Sequence, residues 1–320
     1  DTYNVAVGFL AGKAITTGIS NTLIGGLTGD ALTDADQNVA VGNAALGTDT
    51  LGSKSTAIGT NALADQNFTT ATDTYNTAVG YNAGAATTTG IQNTIVGGLA
   101  GDALTDADYN VAVGYQALTA DTLGSNSVAI GRRALFTQNF TSATDSFNVA
   151  IGYEAGVLLT TGFNNTLIGG LAGDAITTGD YNVVVGASSL SADTLGDRST
   201  AIGYAALHTQ NFTTATSVYN TAVGFNAGFA VTTGIQNVLM GSHAGDALTD
   251  ADFNLAVGHF ALSGDTLGSR STAIGYETLL AQNFTTATNT YNTAVGFQAG
   301  LAVTTGVENT IIGGQAGDAV

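Results

Sequence analysis

Cysteine, proline and tryptophan are absent from this 320-residue chain, and charged residues make up only 9% of it. The missing cysteines exclude a disulfide framework, a thiolate metal site and a thiol nucleophile. They leave the redox compartment open. The little charge there is lies mostly on one side, with 24 acidic against six basic residues and a net charge of -18. Only Arg132 and Arg133 adjoin, so the clustered Lys and Arg that neutralise phosphates are missing and nucleic acid is not an expected partner. An anionic membrane surface would be repelled as well. No apolar run approaches the ~18 residues of a membrane span, so this segment is not expected to insert into a bilayer. A self-repelling acidic surface favours solubility and keeps filaments from bundling.

What the chain has is glycine, 44 of them, and 44% apolar residues gathered in short Val- and Ile-rich runs. That composition fits a regular repeat whose copies share a core better than it fits disorder. The repeat marker is a five-residue string. It runs Asn or Ser, a β-branched or apolar residue, then Ala, Leu, Ile or Val, then Val, Ile or once Met, and ends on Gly. It closes at Gly8, Gly25, Gly42, Gly59 and Gly80, and so on to Gly313. Spacings run 17, 17, 17, 21 and begin again, so the larger unit is 72 residues, in about 4.4 copies. Other columns keep the same register. The third residue after the marker is Ala in 15 of 18 copies. The fourth reads Gly, Gly, Leu, Leu through each 72-residue unit, as in Gly84, Gly101, Leu118 and Leu135. Columns this strict require one copy to lie directly above the next.

A 17-residue period is too short for a helical hairpin, and β-branched strings bounded by Gly and Asn read as strands of about five residues. Two short strands and two turns would fill one coil. The fold class is therefore all-β, a parallel β-solenoid (β-roll) running as one continuous domain over 1–320. At ~4.8 Å per coil its 18 coils would make a rod of roughly 85 Å. The first marker residue is Asn in 14 coils and Ser in four (Ser55, Ser127, Ser199, Ser271), a type of residue that can hydrogen-bond along a stack. In Asn76–Gly80, Ala78 suits a thin interior, while Thr77 and Val79, with Tyr81, face outward. A strand apolar on both faces is usually buried on both, so a parallel homo-oligomer that covers the outward Val/Ile column is expected. The chain starts and stops inside a repeat without polar caps, which we read as an excerpt of a longer fibre protein.

The strings Ser127-Val128-Ala129-Ile130-Gly131 and Ser55-Thr56-Ala57-Ile58-Gly59, each followed by Ala134 or Ala62, resemble the haemagglutinin-type repeats of trimeric autotransporter adhesin heads. Asn-Thr-Ala-Val-Gly-Tyr strings such as Asn76–Tyr81 are also similar to those of repetitive bacteriophage tail-fibre proteins. The resemblance spans essentially the whole chain. It implies a left-handed β-roll, three chains about one axis, and a place on a cell or virion surface.

The insertion in every fourth coil is the first candidate for function, because an extra loop on a regular solenoid projects outward. It reads Gln66-Asn67-Phe68-Thr69-Thr70-Ala71-Thr72. It carries candidate glycosylation sequons at Asn67, Asn139, Asn211 and Asn283, and candidate surface contacts at Phe68, Phe140, Phe212 and Phe284. The blander reading is that each Phe folds back over the coil and each Asn caps a turn. Asn164-Asn165-Thr166 is a fifth sequon match, on a strand-edge column. Acidic turns recur at Asp30, Asp34 and Asp36, at Asp102, Asp106 and Asp108, and at Asp246, Asp250 and Asp252, with Asp121 or its equivalent on the next coil. Oxygen-rich turns can hold calcium. These lack the calcium β-roll pattern, and Thr178 breaks the third copy, so we read them as solvated turns with no metal. A Thr column eight residues past the marker (Thr88, Thr105, Thr122) fits hydroxyls bonded in a turn, or O-glycosylated, better than ice binding. His208, His243 and His259 stand in unrelated columns. Gly47–Ser55 approaches a phosphate loop but has Ser53 where Lys is required, with Ser125, Asp197 and Ser269 at the equivalent places. No catalytic residue and no cofactor is expected. The function expected is the non-catalytic structural shaft of an extracellular adhesive fibre, binding a host-surface glycan or matrix protein. A bacteriophage tail-fibre shaft is the alternative and a carbohydrate-active solenoid enzyme the remote one.

Overall fold

A computed structural model describes residues 2–319 of the chain. These residues fall into two units, 2–163 and 164–319, and each is a parallel β-solenoid with no helix among the described residues. In the first unit Val5–Val7 pairs in parallel with Thr22–Ile24, which pairs with Val39–Val41, and the series climbs coil by coil to Val149–Ile151. In the second it climbs from Thr166–Ile168 through Val183–Val185 to Thr310–Ile312. Register never slips: Ala201 lies against Ala222, and Ala222 against Leu239.

The strands are three residues long rather than the five expected, because both ends of the marker do another job. At its start, the Asn side chains are buried and bond up the stack. Asn237 Oδ1 accepts the Asn254 N–H at 2.9 Å, and Asn237 Nδ2 donates to the Ala251 carbonyl at 2.7 Å. The same pair of bonds recurs at Asn21, Asn38, Asn93, Asn110 and Asn182. At the end of the marker the glycine turns the chain with φ near +137°, as at Gly97. A second strand in each coil, also expected, exists only beside the insertions, as two-residue pairs such as Gly52–Ser53 with Thr72–Asp73. Elsewhere the rest of the coil is turn.

The turns use left-handed backbone at three further places in every coil: the residue before the marker string, and the second and fourth residues after it. Glycine fills ten of the eighteen places in the last column and none in the other two. Tyr219, Arg198 and Gln236 before the marker, and Asn226, His243 and Phe260 after it, all have φ between +54° and +60°. Such residues cost of order 1–2 kcal/mol each. The stack holds them there. The residue before the marker and the second one after it both donate their N–H to the coil below, as Gln236 does to Val218 at 2.9 Å and His243 to Phe225 at 2.9 Å. The fourth donates to the coil above, as Gly228 does to Ala244 at 2.9 Å.

The core is two columns of mostly small residues, with Leu23, Ile95, Leu167 and Leu239 among the exceptions, beside a filler that changes place. Except in the first and last coils, the middle marker residue and the residue three past the marker, mostly Ala, are buried. Where the fourth residue is Leu, as in Leu63, Leu118 and Leu207, that side chain fills the coil. Where it is Gly, an aliphatic residue three further on fills it instead, as Leu32, Leu104 and Leu248 do, except after Gly84, where Thr87 takes that place beside Ile95 and Leu63. A Cβ on Gly245 would lie 2.8 Å from both the Leu239 and Leu248 side chains. The alternating Gly, Gly, Leu, Leu pattern is thus volume compensation inside a constant cross-section.

Gly169 and Gly170 are neighbours with opposite requirements. A Cβ on Gly169 would stand 2.6 Å from the Gly186 backbone at a φ of +134°, whereas a Cβ on Gly170 would meet nothing within 4 Å. Gly169→Ala is therefore expected to cost at least about 3 kcal/mol, since backbone must move. Gly170→Ala should stay within about 0.5 kcal/mol of the parent. Denaturant unfolding of the two variants measures the difference, and equal midpoints would refute the stacking contact.

Candidate functional site

The insertion is built on a buried polar junction. In the coil that carries it the first marker residue is Ser, and the Gln that opens the insertion takes over the ladder. Gln210 Nε2 donates to Asp193 Oδ2 at 2.5 Å and to Ser199 Oγ at 3.0 Å, while Gln210 Oε1 accepts Asn220 Nδ2 at 2.9 Å. An Asn in place of Ser199 would put its amide where the Gln210 amide lies, which accounts for Ser in every fourth marker. Asp193 Oδ1 accepts the N–H of Gly196 and of Phe212, both at 3.1 Å, and so pins both sides of the loop. Asp49, Gln66 and Ser55 repeat the arrangement, as do Asp121, Gln138 and Ser127, and Asp265, Gln282 and Ser271. Thr74, Ser146 and Thr290 add a hydroxyl to the Ser, at 2.6, 2.5 and 2.6 Å, where the third copy has Val218.

Two expectations are corrected here. Phe68, Phe140, Phe212 and Phe284 are not surface contacts. They are only 6–7% exposed, folded back against the solenoid because the adjoining backbone N–H is tied to the buried Asp. Nor is Asp121 a solvated turn residue, since it and its three equivalents are fully buried in this junction. The Phe half of the blander reading is what the structure shows; the sequon Asn caps no turn but meets the coil below, where Thr194 donates to Asn211 Oδ1 at 3.2 Å and to the Phe212 carbonyl at 2.9 Å. The Asn211 and Asn283 side chains are exposed, Asn67 and Asn139 half-buried. Asn165 is buried and donates to the Gly179 carbonyl. What projects from each insertion is its tip: Thr69 to Ala71, Thr141 to Ala143, Thr213 to Ala215 and Thr285 to Ala287.

The other candidates disperse. The acidic turns bond back to the coil below: Asp30 to Lys13 at 2.9 Å, Asp34 to the Thr17 hydroxyl at 2.5 Å, and Asp36 to the Ile19 N–H at 2.7 Å. Asp106, Asp108, Asp250 and Asp252 repeat the last two bonds. Asp102 takes the Thr119 hydroxyl, and Asp246 is raised in pKa chiefly by burial. Thr88, Thr105 and Thr249 donate their hydroxyls to the carbonyl one coil up. Ser53 lies in the short strand pair and accepts the Asp36 N–H, so Gly47–Ser55 is no phosphate cradle. His208 stacks on Phe229, and His243 and His259 lie 6.3 Å apart against Phe260.

A feature not found from the sequence lies beside the insertion, on the residue before each marker. Ser20, Gln37 and Lys54 stand there in three early coils, but from Tyr75 onward exposed aromatic rings alternate with polar residues: Tyr75, Gln92, Tyr109, Asn126 and Phe147 in the first unit, then Tyr181, Arg198, Tyr219, Gln236, Phe253, Arg270 and Tyr291 in the second. Three of the six basic residues fall in this column. Arg198 lies over Tyr181 at 5.2 Å and Tyr219 at 5.9 Å, and Arg270 over Phe253 at 4.8 Å and Tyr291 at 6.0 Å. Lys54 lies over Tyr75 and pairs with Asp73 of the insertion. Period-two alternation from coil to coil was the available signal, visible once the marker register is fixed. No protein-family model, no curated protein and no solved structure matches the chain.

Burial pushes the Asp49 and Asp193 carboxyls above the ordinary range, against the lowering effect of the Gln and backbone N–H bonds. The folded state then holds protons more tightly than the unfolded state. The cost of these two carboxylates is absent below the ordinary carboxylate pKa and grows as pH rises through the raised one. Stability should accordingly fall with rising pH across that window, and part of that slope should vanish in an Asp49→Asn, Asp193→Asn double variant. At neutral pH the double variant should still be the less stable by about 1–3 kcal/mol per site, because the new amide opposes the Gln donor. Melting followed from pH 4 to 8 tests both, and a parallel shift of the two curves would contradict the linkage.

Proposed function

We propose that the chain is the non-catalytic shaft of an extracellular adhesive fibre, in which parallel copies, most simply three, close over the outward face of the strands. One observation carries this reading. Within each unit the last marker residue before the glycine forms an unbroken column of Val and Ile, with one Met, on the face opposite the core, half-buried or exposed from coil to coil, as in Ile202, Val223, Met240, Val257 and Ile274 of the second. Aromatic rings stack beside it, Tyr204 on Phe225 at 5.4 Å and His259 on Tyr276 on Phe297 at 5.5 and 5.3 Å. A contiguous apolar column that lengthens with every coil outgrows the patch a soluble monomer tolerates. A sister copy in the same register supplies a matching column. The repeat itself supports the shaft reading, because each coil contacts only its neighbours and the structure extends by adding copies. The insertion tips and the aromatic column beside them stay open toward a host-surface glycan or matrix protein.

Light scattering on the purified chain should give three times the chain mass. Ile202→Asp with Ile274→Asp should reduce it to one chain while leaving the β circular dichroism in place. A parent protein that runs as a single chain at micromolar concentration ends the reading.

The sequons extend it. In protein taken from its native source, peptides bearing Asn139, Asn211 and Asn283 should carry a glycan mass, most fully at exposed Asn211 and Asn283. Unmodified peptides at all three would remove glycan attachment.

A further inference from the structure

We propose that the aromatic column before the markers is a binding track for a neutral, extended, β-1,4-linked polysaccharide lying parallel to the stack of coils. Four features of the second unit point to this ligand. First, Tyr181, Tyr219, Phe253 and Tyr291 stand in successive odd coils of one column and are 45%, 52%, 42% and 54% exposed. Each ring leaves apolar surface open beside the Arg that lies over it, and a sugar ring presents a face of C–H groups that packs on such aromatic surface. Second, rings two coils apart are separated by roughly 9.6 Å, about the length of one disaccharide in an extended β-1,4 chain. Every second sugar of such a chain turns the same face to the protein, and every second coil offers a ring. Compact or helical α-linked glycans do not keep that step.

Third, each intervening coil supplies hydrogen-bonding side chains at the height where the sugar edge would lie: Arg198, Gln236 and Arg270. The arginines are held in place by the rings on either side, and Arg198 is also bonded to Ser217 Oγ at 2.8 Å. Amide and guanidinium donors are suited to hydroxyls. Fourth, the charge argues for a neutral chain. Arg198 is shared with Asp197 at 3.6 Å, and the protein carries a net charge of -18, which repels a polyanion. The first unit repeats the track with Tyr75, Tyr109 and Phe147 separated by Gln92 and Asn126. The rings are left-handed backbone residues pinned by the stack, so the spacing is set by the coils and little order must be created on binding.

This builds on the adhesive-fibre reading and names its ligand, and the two are separable in one set of measurements. The full chain is run in native gels cast with hydroxyethyl cellulose, with dextran as the α-linked control and heparin as the polyanion, and is mixed with insoluble cellulose and chitin. Oligomer mass is recorded in parallel. The expected result is retardation or retention by at least one of the neutral β-1,4 glycans and none by dextran or heparin. The Tyr181→Ala, Tyr219→Ala, Tyr291→Ala variant should lose at least tenfold in affinity, and the corresponding Phe variant should bind within about threefold of the parent. Circular dichroism and oligomer mass should be unchanged in both. No binding to any of the three β-1,4 glycans, binding to heparin alone, or an Ala variant that folds and binds as the parent does would each overturn the assignment. If the Ala variant does not fold, the single Tyr219→Ala exchange takes its place with a threefold loss expected. A single-chain mass with intact glycan binding would overturn the fibre reading and leave the track standing.

Discussion

Everything in these solenoids depends on one constraint: a coil can satisfy its buried polar groups only against another coil in the same register. The marker Asn shows this most directly. Its side-chain oxygen takes a backbone N–H one coil away, and its amide gives to a carbonyl in that coil's turn. Neither partner exists within its own coil. A slip of one residue would leave a buried amide, an N–H and a carbonyl unpaired at every level, each a loss of about 1–3 kcal/mol. The marker glycine adds the steric half of the constraint, since its Cα faces the next marker glycine's carbonyl with no room for a side chain. Hydrogen bonding fixes the register and close backbone contact fixes the spacing.

That constraint explains how the chain tolerates so much variation without losing shape. Inside, the filler moves between two positions in the coil. A four-residue insertion, which should break the ladder, is absorbed by substituting Ser for Asn and letting a Gln bridge the gap. The price is a buried carboxylate in every insertion coil, held by two backbone N–H groups and one amide. Burial there raises the Asp49 and Asp193 carboxyl pKa values, so the device that permits the loop is also expected to couple stability to pH. A hydrophobic patch of the same volume could not have tied down both sides of the loop.

The fold was legible because its period is in the sequence. The marker, its spacing and the bonding of its Asn along the stack follow from counting, whereas the burial of that Asn does not. Strand length did not, because β-branched residues flanked by Asn and Gly read as strand to the last residue, whereas the flanking pair serve the ladder and the bend. The left-handed turns were invisible for a different reason: Tyr219, Arg198 and Phe260 carry no intrinsic preference for positive φ, and only neighbouring coils hold them there. The insertion Phe fits either a surface contact or a ring folded back over the coil, because loop sequence alone does not say which way an aromatic side chain turns. The Asp that pins it lies 19 residues earlier, as Asp193 does from Phe212, a separation that means nothing until the coils are stacked.

Once register is enforced from within, side chains on the outside are arrayed on a lattice they do not have to maintain. Each outward column repeats at the coil rise, so its chemistry can alternate, drift or thicken without a folding penalty. The last marker column keeps Val and Ile at nearly every level, the pattern of a surface that is to be covered. The column before the marker instead alternates ring and polar group over several coils, although nothing in the core requires a period of two there. Packing demands would have produced the four-coil period that governs the interior and the insertions. A two-coil period on an exposed face therefore has to answer to something outside the chain with its own repeat, and a linear polymer with a disaccharide step is an object of that kind.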